Sequence, residues 1–265
     1  MIESDIYHFS FLAIQAALNA GEELKRGFST AYSITSKPGK HNLVTYYDTL
    51  AEEIILSKIK KEFPDHSLLA EESGAESGSG NITWIVDPLD GTVNFAHNIP
   101  VFSVSIAAVQ GNDVLCGVVY HPITGELFVA QRNKGSFLNG KKLKVSQVAN
   151  LTDSFLATGF PYNLDENPLG CINQLNAVLH QGLPVRRLGS AALDLCYTAA
   201  GRFDAYWEVS LQPWDLAAGL LIVQEAGGCV TTYTGEPCVI KKAGSVVATN
   251  TLLHSSTLQM LKVAP

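Results

Sequence analysis

The chain has 265 residues and a formal net charge of −7, from 18 Lys and Arg against 25 Asp and Glu. A composition that is 46% hydrophobic and only 16% charged excludes intrinsic disorder, which needs low hydrophobicity and high net charge. The acidic balance also disfavours bulk binding to nucleic acid or to an anionic membrane, since both take a basic surface.

In chain order, Ser4 to Phe28 places Ile6, Phe9, Ala13, Ala16, Ala20 and Leu24 three or four residues apart, predicting an amphipathic helix. A second helix is expected after Asp48, with Leu50, Ile54, Ile55 and Ile59 inward and Glu52, Glu53, Lys58 and Lys60 outward. It should end before Pro64. Short β-rich runs follow at Ser67–Ala70, Thr83–Val86, Val101–Val109, Val114–Tyr120 and Glu126–Ala130, with a Gly/Ser-rich stretch, Glu76–Asn81, read as a mobile surface loop. Beyond about residue 150, strands and helices alternate. Strands are expected at Phe155–Thr158, Val185–Leu188, Asp204–Glu208, Cys229–Thr232 and Val246–Thr249, and helices at Pro168–His180, Ala191–Ala200 and Trp214–Ala226. The pattern predicts an α/β or layered α+β fold with one part over residues 1–150 and another over 151–265, packed as one unit.

The acidic Met1-to-Asp5 segment lacks a basic n-region, so no secretory signal is expected. The apolar run Leu216–Val223 is far shorter than the roughly 20 residues of a membrane span. Cys116, Cys171, Cys196, Cys229 and Cys238 are odd in number and irregularly spaced, which reads as free thiols in a reducing, cytoplasmic setting.

The densest chemistry is Trp84-Ile85-Val86-Asp87-Pro88-Leu89-Asp90-Gly91-Thr92. An apolar strand runs into Asp87, Pro88 turns the chain, and Asp90 follows with a Gly-Thr pair whose amides could face an anion. An ordinary Asx turn would use the same residues. Glu71-Glu72-Ser73 also sits at a strand end, and Asp215 opens an apolar helix, where capping is the plain explanation. Together they set carboxylates at the edges of apolar elements in a chain poor in charge. Buried carboxylates need cations, and an all-oxygen set favours Mg²⁺ or Mn²⁺ over zinc.

These residues resemble the inositol monophosphatase family, the magnesium-dependent, lithium-sensitive phosphatases. Asp87-Pro88-Leu89-Asp90-Gly91-Thr92 looks like its D-P-[IL]-D-G-T signature, and Trp214-Asp215-Leu216-Ala217-Ala218 like its W-D-x-A-[AG]; Glu71-Glu72-Ser73 supplies the E-E-S element. The resemblance runs from Asn42 to Asn250 and implies an αβαβα sandwich. It implies one Mg²⁺ on Glu71, Asp87 and the Leu89 carbonyl, a second on Asp87, Asp90 and Asp215, and in some members a third near Glu71. It implies that Thr92, supported by Asp48, orients the attacking water, with Glu71 among the catalytic groups. Gly91 and Thr92 would hold phosphate, while Asp90, Gly189-Ser190-Ala191, Glu208 and Asp215 would meet the substrate. Lys37 matches a lysine on a loop beside the site.

There are departures. Asn42 stands where the family often has Asp, and the link from Glu71 to Asp87 looks trimmed. His41, His97 and His121 are read as surface or supporting residues. Val93-Asn94-Phe95 resembles the inositol monophosphatase branch, and Thr158-Gly159-Phe160-Pro161-Tyr162 resembles bacterial members. The implied substrate is therefore a small phosphorylated polyol, myo-inositol 1-phosphate first. Fructose-1,6-bisphosphate, histidinol phosphate and a 3′-phosphonucleotide are the alternatives, as is a regulatory binding role, since some bacterial relatives assist RNA polymerase. The resemblance also implies a homodimer, while the acidic composition argues against membrane attachment or direct nucleic-acid binding. Asp48, Glu71, Asp87, Asp90, Glu208 and Asp215 could hold most of the −7, leaving −1 for the remainder.

Overall fold

The computed structural model describes residues 3–30, 33–36 and 43–262, so Lys37, His41 and Asn42 lie outside the described residues. Helix α1 (Glu3–Gly27) leads to strands β1 (Ile34–Ser36) and β2 (Leu43–Thr45), helix α2 (Tyr46–Glu62), and strands β3 (Ser67–Ala70) and β4 (Gly74–Glu76). Next come β5 (Ile82–Asp90), the short helix α3 (Thr92–Ala96), β6 (Ser103–Gln110), β7 (Asp113–His121), β8 (Glu126–Gln131), β9 (Gly135–Leu138) and β10 (Lys141–Lys142). The remaining chain forms β11 (Leu156–Thr158), α4 (Cys171–His180), β12 (Val185–Arg186), α5 (Ala191–Ala199) and β13 (Ala205–Leu211). It closes with α6 (Pro213–Glu225), β14 (Cys229–Thr231), β15 (Gly244–Thr249) and α7 (His254–Met260).

The larger sheet has the order β10-β9-β8-β7-β6-β5-β3-β4, antiparallel throughout except where β3 meets β5. The smaller sheet runs β12-β11-β13-β15-β14, with β11 parallel to both its neighbours. Alternation along each strand assigns the layers. Trp84 and Val86 of β5 pack with Ala16 and Ala20 of α1 and Ile55 of α2, whereas Ile85 faces the other way into a core shared with α5 and α6. That central core also receives Tyr206 and Ala248 from the smaller sheet. Trp207 and Val247 point outward against Val178 of α4 and Met260 of α7. The layers are therefore helix, sheet, helix, sheet, helix, the αβαβα sandwich the resemblance implies. Gly117 permits this close packing, because a Cβ there would meet the Ala218 backbone of α6 at 2.7 Å.

Some expectations are corrected. Glu52 faces inward, 4% exposed, instead of lying on the solvent side of α2. β5 continues through Pro88 to Asp90 by way of a register shift between Asp87 and Asp90, a bulge that accommodates the missing donor. The Gly/Ser stretch is exposed yet tethered, with Gly80 N bonding Asp65 O at 2.7 Å and Gly78 N bonding Ser67 Oγ at 3.0 Å. The helix expected from Pro168 begins as a 3₁₀ turn and becomes α-helical only at Cys171. Of the histidines read as surface or supporting residues, His121 is buried and His97 exposed, in keeping with that reading. All five cysteines are free. Among the described residues no helix is long and apolar enough to cross a membrane.

Candidate active site

The end of β5 opens onto a cavity of about 970 Å³ between the two sheets' strand ends. Glu71 follows β3; Asp87, Leu89 and Asp90 lie on β5; Gly91 and Thr92 form the turn beyond it; all line this cavity. From the other half of the chain come Gly189, Ser190 and Ala191 at the start of α5, Glu208 of β13 and Asp215 of α6. Among the described residues expected to hold metal, water or substrate, Asp48 is the one outside the lining, standing behind Thr92. A separate cavity of about 400 Å³ beside α1 contains none of them.

Local chemistry explains how the turn is held. Leu89 N donates to Asp87 Oδ1 at 3.0 Å, so the Asx turn is present and coexists with the cavity-facing role. Gly91 takes φ 98°, ψ 34°, and a Cβ there would come within 3.0 Å of Val101 O and 3.2 Å of Gly189 O. Glycine thus lets the turn meet the Gly189 backbone from the second half. Asn94 reinforces that junction, donating through Nδ2 to Val101 O at 2.7 Å and Leu188 O at 2.8 Å.

Thr92 Oγ1 lies 2.9 Å from Asp48 Oδ1 and 3.0 Å from Leu89 O. The other Asp48 oxygen accepts from Thr45 N at 2.7 Å and Thr45 Oγ1 at 2.6 Å, part of a capping box that starts α2. Burial pushes the Asp48 carboxyl up to about 6 despite these donors. Glu71 is placed from below. Its N–H bonds Val86 O at 3.2 Å, and buried Glu52 accepts from Glu72 N at 2.9 Å and Ser73 N at 2.8 Å. Sequence reasoning missed Glu52, whose only signal is that it falls one turn after Asp48.

Asp90 is bound to the start of α5. It accepts from Ser190 Oγ at 2.5 Å, Ala192 N at 2.9 Å and Ala191 N at 3.3 Å, and Ser103 Oγ lies 3.4 Å away. A carboxylate at a helix N-terminus is favoured by the unpaired amides and the dipole there. Even so, burial raises the group to about 6. Asp215 is the third residue of α6, not its first; its Oδ2 reaches back to Gln212 N at 2.7 Å in a capping box. Ser105 Oγ donates to Trp214 O at 3.2 Å, fixing this first turn to β6. Capping and cavity lining are here the same residue.

Burial pushes Asp87 well above the ordinary carboxylate range, followed by repulsion from Glu71, Asp90 and Asp215. Asp215 is raised likewise by burial, then by Asp90 and Glu71. With Glu71 these carboxylates form a hard, all-oxygen donor set that fits a divalent cation such as Mg²⁺ or Mn²⁺. Among the described residues, no three Asp, Glu, His or Cys side chains close on a point as a finished cage; the carboxylates share a cavity instead.

The Glu208 side of the cavity has its own order. Glu208 accepts from the Tyr206 hydroxyl, and burial raises it to about 7. Gly159, bare of side chain, faces the Glu208 carboxylate at the position where a Cβ would collide with it. Among the further lining residues are Tyr162 and Arg187, neither expected at the site from sequence. The Tyr162 hydroxyl is pushed up to about 12 by desolvation and by Glu71, Asp215, Asp90 and Asp87. Arg187 precedes the Gly189 turn and lines the cavity too; its only sequence signal is the basic pair Arg186-Arg187 in a chain poor in charge.

Comparison with known proteins identifies the family. A profile of the inositol monophosphatase family matches residues 5–263. The Nus factor SuhB of Pseudomonas aeruginosa is 40% identical over 258 residues, covering 95% of this chain and 94% of that protein. The inositol-1-monophosphatase of Mesorhizobium japonicum is 41% identical over 251 residues, covering 94% of each. The crystal structure of the extragenic suppressor protein suhB from Bartonella henselae superposes with a TM-score of 0.90 at 40% identity, covering 96% of this chain and 98% of that one. The chain belongs to the inositol monophosphatase family.

Proposed function

We propose that this protein hydrolyses a phosphate monoester of a small polyol, with myo-inositol 1-phosphate as the foremost substrate, using water and bound Mg²⁺. The observation that supports it most is the meeting of Glu71, Asp87, Asp90 and Asp215 with Thr92 around one cavity. Glu71, Asp87 and the Leu89 carbonyl would hold one ion, and Asp87, Asp90 and Asp215 a second; a third near Glu71 belongs to the same proposal, and Mn²⁺ could substitute. When bound, such ions neutralise the phosphate dianion and acidify water, which lowers the barrier of a reaction that is very slow unaided.

The chain's own residues supply the rest. Thr92 orients a water through its hydroxyl, and Asp48, raised to about 6, is suited to accept a proton near neutral pH. The Gly91 and Thr92 amides offer donors to phosphate oxygens. Asp90 fixes the Ser190–Ala191 wall against which the alcohol would rest, and Glu208 faces its hydroxyls. The Mesorhizobium relative's name supports inositol 1-phosphate over the other esters. Purified protein would be assayed with Mg²⁺ against polyol, sugar and nucleotide phosphates. Preferred release from inositol 1-phosphate is expected, and a stronger preference for another ester would replace it as the substrate.

The name of the Pseudomonas relative favours a second, regulatory role carried by the same fold. An Asp90→Asn variant should lose hydrolysis yet still pull down RNA polymerase; no retention by wild-type protein would remove this second reading.

A further inference from the structure

We propose that Arg187 is a specificity-determining residue, raising turnover of phosphate esters that carry a second anionic group relative to what the acidic cavity would give without it. This rests on the phosphatase proposal above and names a further substrate class that the same cavity would accept beside inositol 1-phosphate. Among the described residues Arg187 is the only basic side chain lining the cavity, whose other charged lining residues are all acidic.

The chain has five arginines, and four of them are engaged. Arg26 pairs with Glu23 at 2.8 Å, Arg132 with Asp113 at 3.0 Å, and Arg202 with Glu126. Arg186 lies over the Phe155 ring at 4.9 Å and donates to Val185 O at 3.1 Å. Arg187 makes no hydrogen bond or ion pair among the described residues, although it is exposed and the cavity is rich in carboxylates. Its guanidinium is held beside Gly189, where Nη1 lies 2.8 Å from the point a Cβ would occupy. The absence of that Cβ, together with φ +87° at Gly189, leaves room for the guanidinium next to the Ser190 cap. Its field also reaches Glu208, on the alcohol side of the cavity.

An unengaged guanidinium presents planar donors suited to bidentate capture of phosphate or carboxylate. In an acidic cavity, a substrate's second anion would otherwise be repelled. At about 970 Å³ the cavity is at the upper end of the roughly 300–1,000 Å³ usual for small-molecule sites, enough for a polyol bearing two such groups.

The test compares wild-type protein, Arg187→Met and Arg187→Lys, with Mg²⁺, on myo-inositol 1-phosphate, fructose 1,6-bisphosphate and 6-phosphogluconate. The last two distinguish phosphate from carboxylate as the second anion. For at least one of them, kcat/KM relative to inositol 1-phosphate should fall roughly 10- to 100-fold in Arg187→Met, mainly through KM. Arg187→Lys should recover part of the ratio. Thermal melting checks that both variants are folded, as expected for an exposed side chain. Ratios unchanged in Arg187→Met, or losses equal for all three esters, would overturn the proposal while leaving the phosphatase reading intact. No phosphate release from any ester by wild-type protein would overturn both.

Discussion

Thr92 donates its hydroxyl to Asp48 Oδ1 at 2.9 Å across 44 positions of sequence, joining the first turn of α2 to the turn after β5. The same hydroxyl lies 3.0 Å from the Leu89 carbonyl, so one proton serves two acceptors at the edge of the carboxylate cavity.

If this pair orients and deprotonates water, Thr92→Val should lower kcat by roughly 100-fold and Thr92→Ser should restore most of it. Asp48 must be ionised to accept a proton, and burial sets it at about 6. Activity should therefore rise with pH through about 6, and Asp48→Asn should abolish that rising limb along with most of the rate. A pH–rate profile of the three variants checks both points.

Glu52 does not line the cavity, yet it holds the amides of Glu72 and Ser73 and so places Glu71. Groups that orient a ligand commonly matter about 10- to 100-fold for metal affinity. Glu52→Gln should raise the Mg²⁺ concentration for half-maximal activity by roughly 10-fold, with little change in rate at saturation. Titration of activity with Mg²⁺ reads this directly.

Gly159 leaves the space that the Glu208 carboxylate fills. Gly159→Ala should push that carboxylate aside and raise KM by about 10-fold while changing kcat less, matching Glu208→Gln in kind. Steady-state kinetics on inositol 1-phosphate would show the split.

The parts of the site legible in sequence are those where one short segment carries several functions. Asp87 to Thr92 announces itself because strand end, proline, two carboxylates and glycine fall together, and the αβαβα layering follows from the family signatures and alternating elements. Glu52 was misassigned because a buried carboxylate on a helix looks like any solvated one until its partners, Glu72 and Ser73, are brought up from 20 and 21 positions away. Asn94 likewise acts across 94 positions on Leu188 O, a contact no local pattern encodes. β1, β2, β4, α3, β9, β10 and α7 were missed because they are short elements, stabilised by neighbours more than by their own periodicity.

Asp194 of α5 is a further buried carboxyl outside the cavity, 1% exposed, with Oδ1 lacking a partner. Burial first, and then Glu208 and Asp90, hold it well above its ordinary value of 3.8. The folded state thus keeps a proton that the unfolded chain releases. Stability from this group is complete below about pH 3.8 and is lost as pH rises towards the folded value. Asp194→Asn has no proton to lose, so its melting temperature should gain on wild type between about pH 4 and pH 7, at roughly 2–4 °C for each kcal/mol. A difference that is constant with pH would contradict this.

The excess of acid in the composition is concentrated where chemistry is expected: five of the six carboxylates that could account for most of the −7 line one cavity, and Asp48 stands behind Thr92. Whether that cavity performs metal-assisted phosphate ester hydrolysis is tested most directly by phosphate release from myo-inositol 1-phosphate. Wild-type protein and Asp87→Asn would be assayed with Mg²⁺, after chelation, and after Mg²⁺ is restored. Release by wild type that stops on chelation, returns with Mg²⁺ and is absent in Asp87→Asn is the predicted result. Release that survives both chelation and Asp87→Asn, or none under any condition, would contradict it.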